Sequence, residues 1–315
     1  MRQIYVSSCE PAGGIYRFAL DCGKLHLLDK AMLDRPMYTV LSGNRLYVLL
    51  RQTDTETDFG GVTHMTVNAD GRLGESAAVV SSEGVVPCHL CVFGGNVYLV
   101  NYLSGNVVCV GGAVRQHSGR SVNPARQEAP HTHFVQPSPD GKYLLCCDLG
   151  LDRIYTLDAA LNEVSSVQTI PGDGPRHLAY SEDGQFVYCA NELSSTVGVY
   201  AYADGKLTLL RTVSCAEKAN GNAPAAIRRR DGLLWVSNRG EDTISCFRTE
   251  GDRLEFVSRT PVGGSFPRDF AFADGYLVCA NEHSDSVTVF RAEDGRLIQT
   301  DAVSGIRSPL CVTVL

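Results

Sequence analysis

Seven short strand-like runs recur along the chain at a nearly constant interval, and that interval limits the fold more than any other feature. The runs are Tyr5–Ser8, Tyr47–Leu50, Tyr98–Asn101, Leu145–Asp148, Tyr188–Asn191, Trp235–Asn238 and Val278–Asn281. Their last residues are 42, 51, 47, 43, 47 and 43 residues apart. The step from Asn281 through the C-terminus and on from the N-terminus to Ser8 is again 42. A period of this size, with several short strands per unit, is the pattern of β-propeller blades. The chain is therefore expected to be all-β, a single seven-bladed propeller over residues 1–315 with four antiparallel strands per blade.

The unit is clearest at Gly174–Glu192. One strand follows Pro175-Arg176-His177, the Glu182-Asp183-Gly184 turn supplies left-handed backbone, and a second strand ends at Asn191-Glu192. An antiparallel hairpin brings Arg176 and His177 beside Asn191 and Glu192 at one rim. Third strands follow, as in Thr196–Tyr200 and Ser286–Phe290, and weaker outer strands, as in Leu207–Leu210. Asp158–Val167 could be a capped helix, but its place in the repeat predicts a turn and an outer strand. Ser308–Val314 matches the inner strand of a blade whose second and third strands are Ile4–Ser7 and Gly14–Phe18. One blade would thus be built from both termini, which removes a free sheet edge. The surplus residues of the long steps, Arg51–Asp58, His117–Thr132 and Ser214–Ala223, all fall on the rim that carries Arg176 and Glu192. Function gathers on loops held by a rigid scaffold, so this is the expected functional face.

Composition excludes several classes. A net charge of −7 and no long basic run argue against a nucleic-acid partner. No apolar run is long enough to span a bilayer. Met1–Glu10 lacks the apolar core of a signal peptide, and most of the 12 cysteines lie in apolar strands rather than at framework spacing. A cytoplasmic protein with reduced thiols is expected. Cys88-His89-Leu90-Cys91 has no second half, so no metal site is expected there.

Other motifs are more particular: Ala129-Pro130-His131-Thr132-His133, Pro137-Ser138-Pro139-Asp140-Gly141-Lys142, Asp148-Leu149-Gly150, Gly174-Pro175-Arg176-His177, Asn191-Glu192-Leu193, Asn238-Arg239-Gly240 and Phe266-Pro267-Arg268. In this order and at this spacing the chain resembles the seven-bladed propeller lactonase family, which includes bacterial propeller-type 6-phosphogluconolactonases and a fungal carboxy-muconate lactonising enzyme. The resemblance implies a catalytic set of His133, Arg176, Glu192 and Arg239. It also implies hydrolysis of a sugar lactone such as 6-phosphogluconolactone, a small-molecule substrate and no cofactor. Two departures stand out, Ala226 where relatives often carry Glu and Glu282 where Gln is usual.

The residue types suit that chemistry. Glu192 or His133 could activate water, a contribution of roughly 10²–10⁴-fold. Arg176 and Arg239 keep their protons at neutral pH and suit an oxyanion or phosphate. His131, His177 and Arg268 could add phosphate or carboxylate contacts, and no metal is required. Asn101 and Asp148, on the same rim, are further candidate substrate contacts. Their recurrence with Asn191, Asn238 and Asn281 equally suits turn capping. Asp152-Arg153 reads as a blade-to-blade ion pair and Arg228-Arg229-Arg230 as a solvated strand and turn. The rival functions are a lactonising enzyme on a dicarboxylate and a non-enzymatic binding scaffold. The lack of Trp-Asp blade endings argues against the scaffold.

Overall fold

The strands form because β-branched and aromatic residues alternate with polar ones between turns that only left-handed backbone can close. At Asp204-Gly205, Asp231-Gly232, Asp274-Gly275 and Asp294-Gly295 both turn residues have positive φ, between 44° and 85°. At Asp183-Gly184 only the glycine does. There the Asp183 carboxylate closes the turn instead, accepting from Ser181 Oγ at 2.6 Å and Gln185 N at 3.0 Å.

A computed structural model describes residues 2–315. Seven antiparallel sheets form the blades of a β-propeller. In blades one to six the innermost strands are Pro36–Ser42, Pro87–Phe93, Thr132–Pro137, Pro175–Tyr180, Ala223–Arg230 and Pro267–Ala273. Blade seven runs Pro309–Val314, Arg2–Ser8, Gly14–Asp21, Lys24–Ala31. Its first two strands join the chain ends, with Ile4 opposite Val314 and Val6 opposite Val312. Asp158–Asn162 is a turn and Glu163–Gln168 an outer strand, as the repeat requires. Blade one departs from the pattern. Its outer edge is broken into Leu73–Ser76 and Val80–Val85, which both pair with Phe59–Val67. Its extra length is therefore shared between the 51–58 loop and this break.

The core is distributed around the ring. Each apolar cluster is shared between neighbouring blades: Tyr188 and Val199 of blade four pack with Ile227 and Leu234 of blade five. Ile4 and Phe18 of blade seven pack with Val278 and Val289 of blade six. Nine of the 12 free cysteines are buried, acting as small apolar residues.

Polar residues at the rim fix three of the blades to the next. Three or four residues after the end of the second strand, Asp152, Asp242 and Asp285 take left-handed φ of 50–54°. Their carboxylates accept from the backbone that enters the next blade. Asp152 takes Gly172 N and Gly174 N at 2.7 Å, Asp242 takes Phe266 N at 2.7 Å, and Asp285 takes Ser308 N at 2.8 Å. Asp152 thus corrects the ion-pair expectation. It is spent on backbone amides and on Ser121 Oγ, while Arg153 donates to Gln168 Oε1 at 3.0 Å.

Candidate active site

In every blade the pairing of the innermost strand slips near its upper end. The ladder skips Met37, Cys88, His133, Arg176, Arg268 and Leu310 in six blades. In blade five it skips Ala225 and Ala226. A bulge frees one residue from the ladder and re-aims its side chain. The six larger bulge residues line one axial cavity of about 20 Å³, room for about one water. Half of this ring is His133, Arg176 and Arg268; the other half is Met37, Cys88 and Leu310. Small alanines complete it and leave the Ala225 carbonyl free to accept Arg176 Nη1 at 2.7 Å.

Glu192 sits beside the ring, one residue beyond strand Phe186–Asn191. Its N–H donates to Gly174 O at 2.8 Å. Gly174 has φ of 63°, and a Cβ there would stand 2.5 Å from the Leu193 side chain, so this close turn needs glycine. Three guanidiniums surround the carboxylate. Arg239 Nη2 donates to Oε2 and Arg126 Nη2 to Oε1, both at 2.6 Å. Arg176 Nε lies 3.0 Å from Oε2 but is not aligned for a hydrogen bond. Arg239 is fixed further through Ala223 O (3.0 Å) and Pro224 O (3.2 Å), and it lies over the Phe266 ring. Burial pushes the Glu192 carboxyl upward, but Arg239, Arg176 and Arg126 outweigh it and hold the group well below the usual carboxylate range. Burial, then the charge of Arg239, pulls Arg176 down to about 9 against the pull of Glu192. It remains a cation at neutral pH.

The histidines are the reverse case. Burial, then the charge of Arg176, keeps His133 and His177 well below their ordinary values, so both are neutral. His133 Nδ1 and both nitrogens of His177 are buried without a protein partner. The His133 ring stands 5.3 Å from His177 and 5.7 Å from Tyr102. His177 meets His89 at 5.3 Å and Phe134 at 5.1 Å one layer below.

The structure thus brings His133, Arg176, Glu192 and Arg239 together. Arg268 shares the cavity but is paired with Glu282 at 3.1 Å. His177 also lines it. His131 is stacked on Tyr102 at 4.5 Å, its Nδ1 3.0 Å from Tyr102 O and its Nε2 3.1 Å from Glu128. Asn101 and Asp148 lie fully buried away from the cavity. Asn101 Nδ2 donates to Ser82 O and Asn106 Oδ1, both at 2.7 Å. Asp148 takes His117 Nδ1 (2.6 Å), His131 N (2.8 Å) and Leu151 N (3.1 Å). Internal bonds occupy Asp148 and the Asn101 amide nitrogen, which is the turn-capping geometry, while Asn101 Oδ1 is buried without a partner. Arg228 corrects the solvated reading of its triplet: its Nη2 donates to buried Asp269 Oδ1 at 2.8 Å. Sequence reasoning missed Arg126 and Tyr102. The surplus His117–Thr132 loop on the functional rim was the available signal for Arg126, and the Tyr after the strand end at Asn101 for Tyr102.

Among the described residues, no group of three or more His, Cys, Asp or Glu side chains is placed to hold a metal ion. None of their helices is long and apolar enough to cross a membrane.

The chain is similar to known proteins in sequence and fold. An uncharacterised protein of Staphylococcus aureus is 32% identical over 285 residues, 82% of each chain. The crystal structure of a candidate 6-phosphogluconolactonase from Bacteroides fragilis superposes with a TM-score of 0.91 at 26% identity, covering 100% of this chain and 98% of that one. A periplasmic gluconolactonase from Pseudomonas aeruginosa gives 0.88 at 26% identity, covering 100% and 99%. The family model for the seven-bladed β-propeller lactonases matches residues 3–314, and the chain belongs to that family.

Proposed function

We propose that the protein hydrolyses a sugar lactone, 6-phosphogluconolactone being the substrate the site suits best, and that it does so in a reducing compartment such as the cytosol. The observation that carries this reading is a neutral His133 lining the same axial cavity as Arg176. The neutral imidazole of His133 takes a proton from water, and the water oxygen bonds to the lactone carbonyl carbon. Arg176 and Arg239 stabilise the oxyanion that forms, where donors in a water-poor site are most effective. The intermediate collapses with cleavage of the bond to the ring oxygen, and the imidazolium returns its proton to that leaving oxygen. The net change is lactone plus water to hydroxy acid. Glu192 orients the arginines, because both of its oxygens already accept from them. The similarity to a gluconolactonase and to a candidate 6-phosphogluconolactonase supports the substrate class.

The test is hydrolysis of freshly prepared 6-phosphogluconolactone by wild type, Glu192→Gln and Arg239→Ala, with melting temperatures measured alongside. We expect a rate above buffer for wild type and losses on the order of 10²–10³ for Arg239→Ala. A wild-type rate equal to buffer would reject the substrate. Folded variants as active as wild type would reject the site.

A further inference from the structure

We propose that Arg126 is an anion clamp that moves from Glu192 to the phosphate of the substrate and so sets the preference for phosphorylated over unphosphorylated lactones. The inference rests on the lactonase reading for its substrate and on charge and geometry for the clamp.

Charge comes first. Arg126, Arg176 and Arg239 surround one carboxylate, and Arg268 is already paired with Glu282. The cluster around Glu192 therefore carries two positive charges beyond what it neutralises. Uncompensated charge is costly where water is restricted, and a phosphate monoester dianion is opposite in sign and equal in size to this excess.

Mobility separates the three arginines. The side chains of Arg176 and Arg239 are 2% and 5% exposed, and backbone carbonyls hold both. Arg126 is 43% exposed. Among the described residues, only its Nη2 finds partners, Glu192 Oε1 at 2.6 Å and the Tyr102 hydroxyl at 3.3 Å. The remaining guanidinium donors are free to receive a ligand, and a planar fork suits bidentate phosphate binding.

The base of this side chain is nonetheless fixed. Gln127, beside it, is fully buried and donates from Nε2 to Leu149 O at 2.9 Å. Ser121 Oγ donates to Asp152 at 2.6 Å, and Gln127 N to Asn123 O at 2.7 Å. A long cationic side chain thus swings from an anchored loop at the mouth of the site. In the free protein Glu192 Oε1 holds the place that a phosphate oxygen takes in the complex. When Arg126 leaves, Arg176 and Arg239 still hold Oε2.

Two measurements test the clamp. The first compares kcat/KM for 6-phosphogluconolactone and for glucono-δ-lactone in wild type and Arg126→Gln. A hydrogen bond to a charged group contributes about 1.5–3 kcal/mol, so the ratio of the two should fall at least tenfold, mainly through KM of the phosphorylated substrate. The second titrates inorganic phosphate by calorimetry against wild type, Arg126→Gln and Arg126→Lys. Binding should be lost in Gln and partly kept in Lys. Phosphate binding and a substrate ratio that are both unchanged in Arg126→Gln would overturn the clamp while leaving the lactonase reading intact. A wild type that opens neither lactone, yet binds phosphate through Arg126, would reject the lactonase reading and support the anion site.

Discussion

Buried charge acts in opposite senses on two titratable groups of the candidate site. Arginines keep Glu192 ionised, while burial and Arg176 keep His133, and His177 beneath it, neutral. His89, in the same layer as His177, is lowered by burial and then by Arg228. An unfolded chain takes up protons on histidine near pH 6.5; the folded protein does so only well below that. The stability these three contribute is therefore complete above about pH 6.5 and falls as the pH drops below it. The loss is about 1.4 kcal/mol per pH unit for each histidine. Glu192 acts lower: its contribution is present above the ordinary carboxylate value and is lost as the pH falls toward its depressed folded value. Urea unfolding between pH 7.5 and 5.5 should show a slope approaching three protons, reduced by one in His177→Leu. An identical slope in that variant would contradict the assignment. Glu192→Gln should destabilise by about 3–5 kcal/mol, because it leaves buried guanidiniums without their anion; its melting temperature reports this directly. At this scale the sequence showed the unusual residues but not their partners. Arg176 and Glu192 were visible because they share a hairpin. Arg126 lies 66 residues from Glu192 in a loop outside the repeat, so no local pattern links the two.

Two devices convert the repeat into a candidate site: the bulge on each innermost strand, and the second-strand ends that carry Glu192 and Arg239. Strand positions and turns were legible because alternation and Asp-Gly pairs have direct physical consequences. The bulge was not, since a one-residue slip leaves the spacing of apolar residues nearly unchanged. That slip decides whether Arg176 faces the ladder or the axis. The recurring Asn at the end of the second strand carries a different load. Asn238 Nδ2 donates to Cys215 O, Thr243 Oγ1 and Ser245 Oγ at 3.0–3.2 Å. Asn191 and Asn281 likewise bridge to Thr196 and Thr288, each at 3.0 Å. Asn238→Ala should cost about 1–3 kcal/mol by leaving buried partners unsatisfied. Chemical denaturation measures this, and a cost near zero would remove the capping role. Blade one shows the limit of the repeat: one long step was readable, but not how a loop and a split outer strand share it.

The whole molecule is a closed ring whose core lies between blades, so no blade buries its faces alone. Closure depends on Pro309–Val314 pairing with Arg2–Ser8, and it is reinforced where Val312 N donates to Asp269 Oδ2 at 3.1 Å and Ser8 Oγ to Arg307 O at 2.6 Å. Deleting residues 308–315 should lower the melting temperature sharply and expose two sheet edges to aggregation. An unchanged melting curve would contradict the closure. The terminal match was legible in the sequence because the period closes at 42 residues across the chain ends. The ring also gathers His133, Arg176 and Arg239 from blades three, four and five onto one axis, and that gathering is the central claim. Its most direct measurement is kcat/KM for 6-phosphogluconolactone, in the presence of a chelator, for wild type and His133→Asn. We expect wild type to remain fully active and folded His133→Asn to lose roughly 10²–10⁴-fold. A His133→Asn enzyme as fast as wild type, or a wild type that is inactive until calcium is returned, would contradict the account.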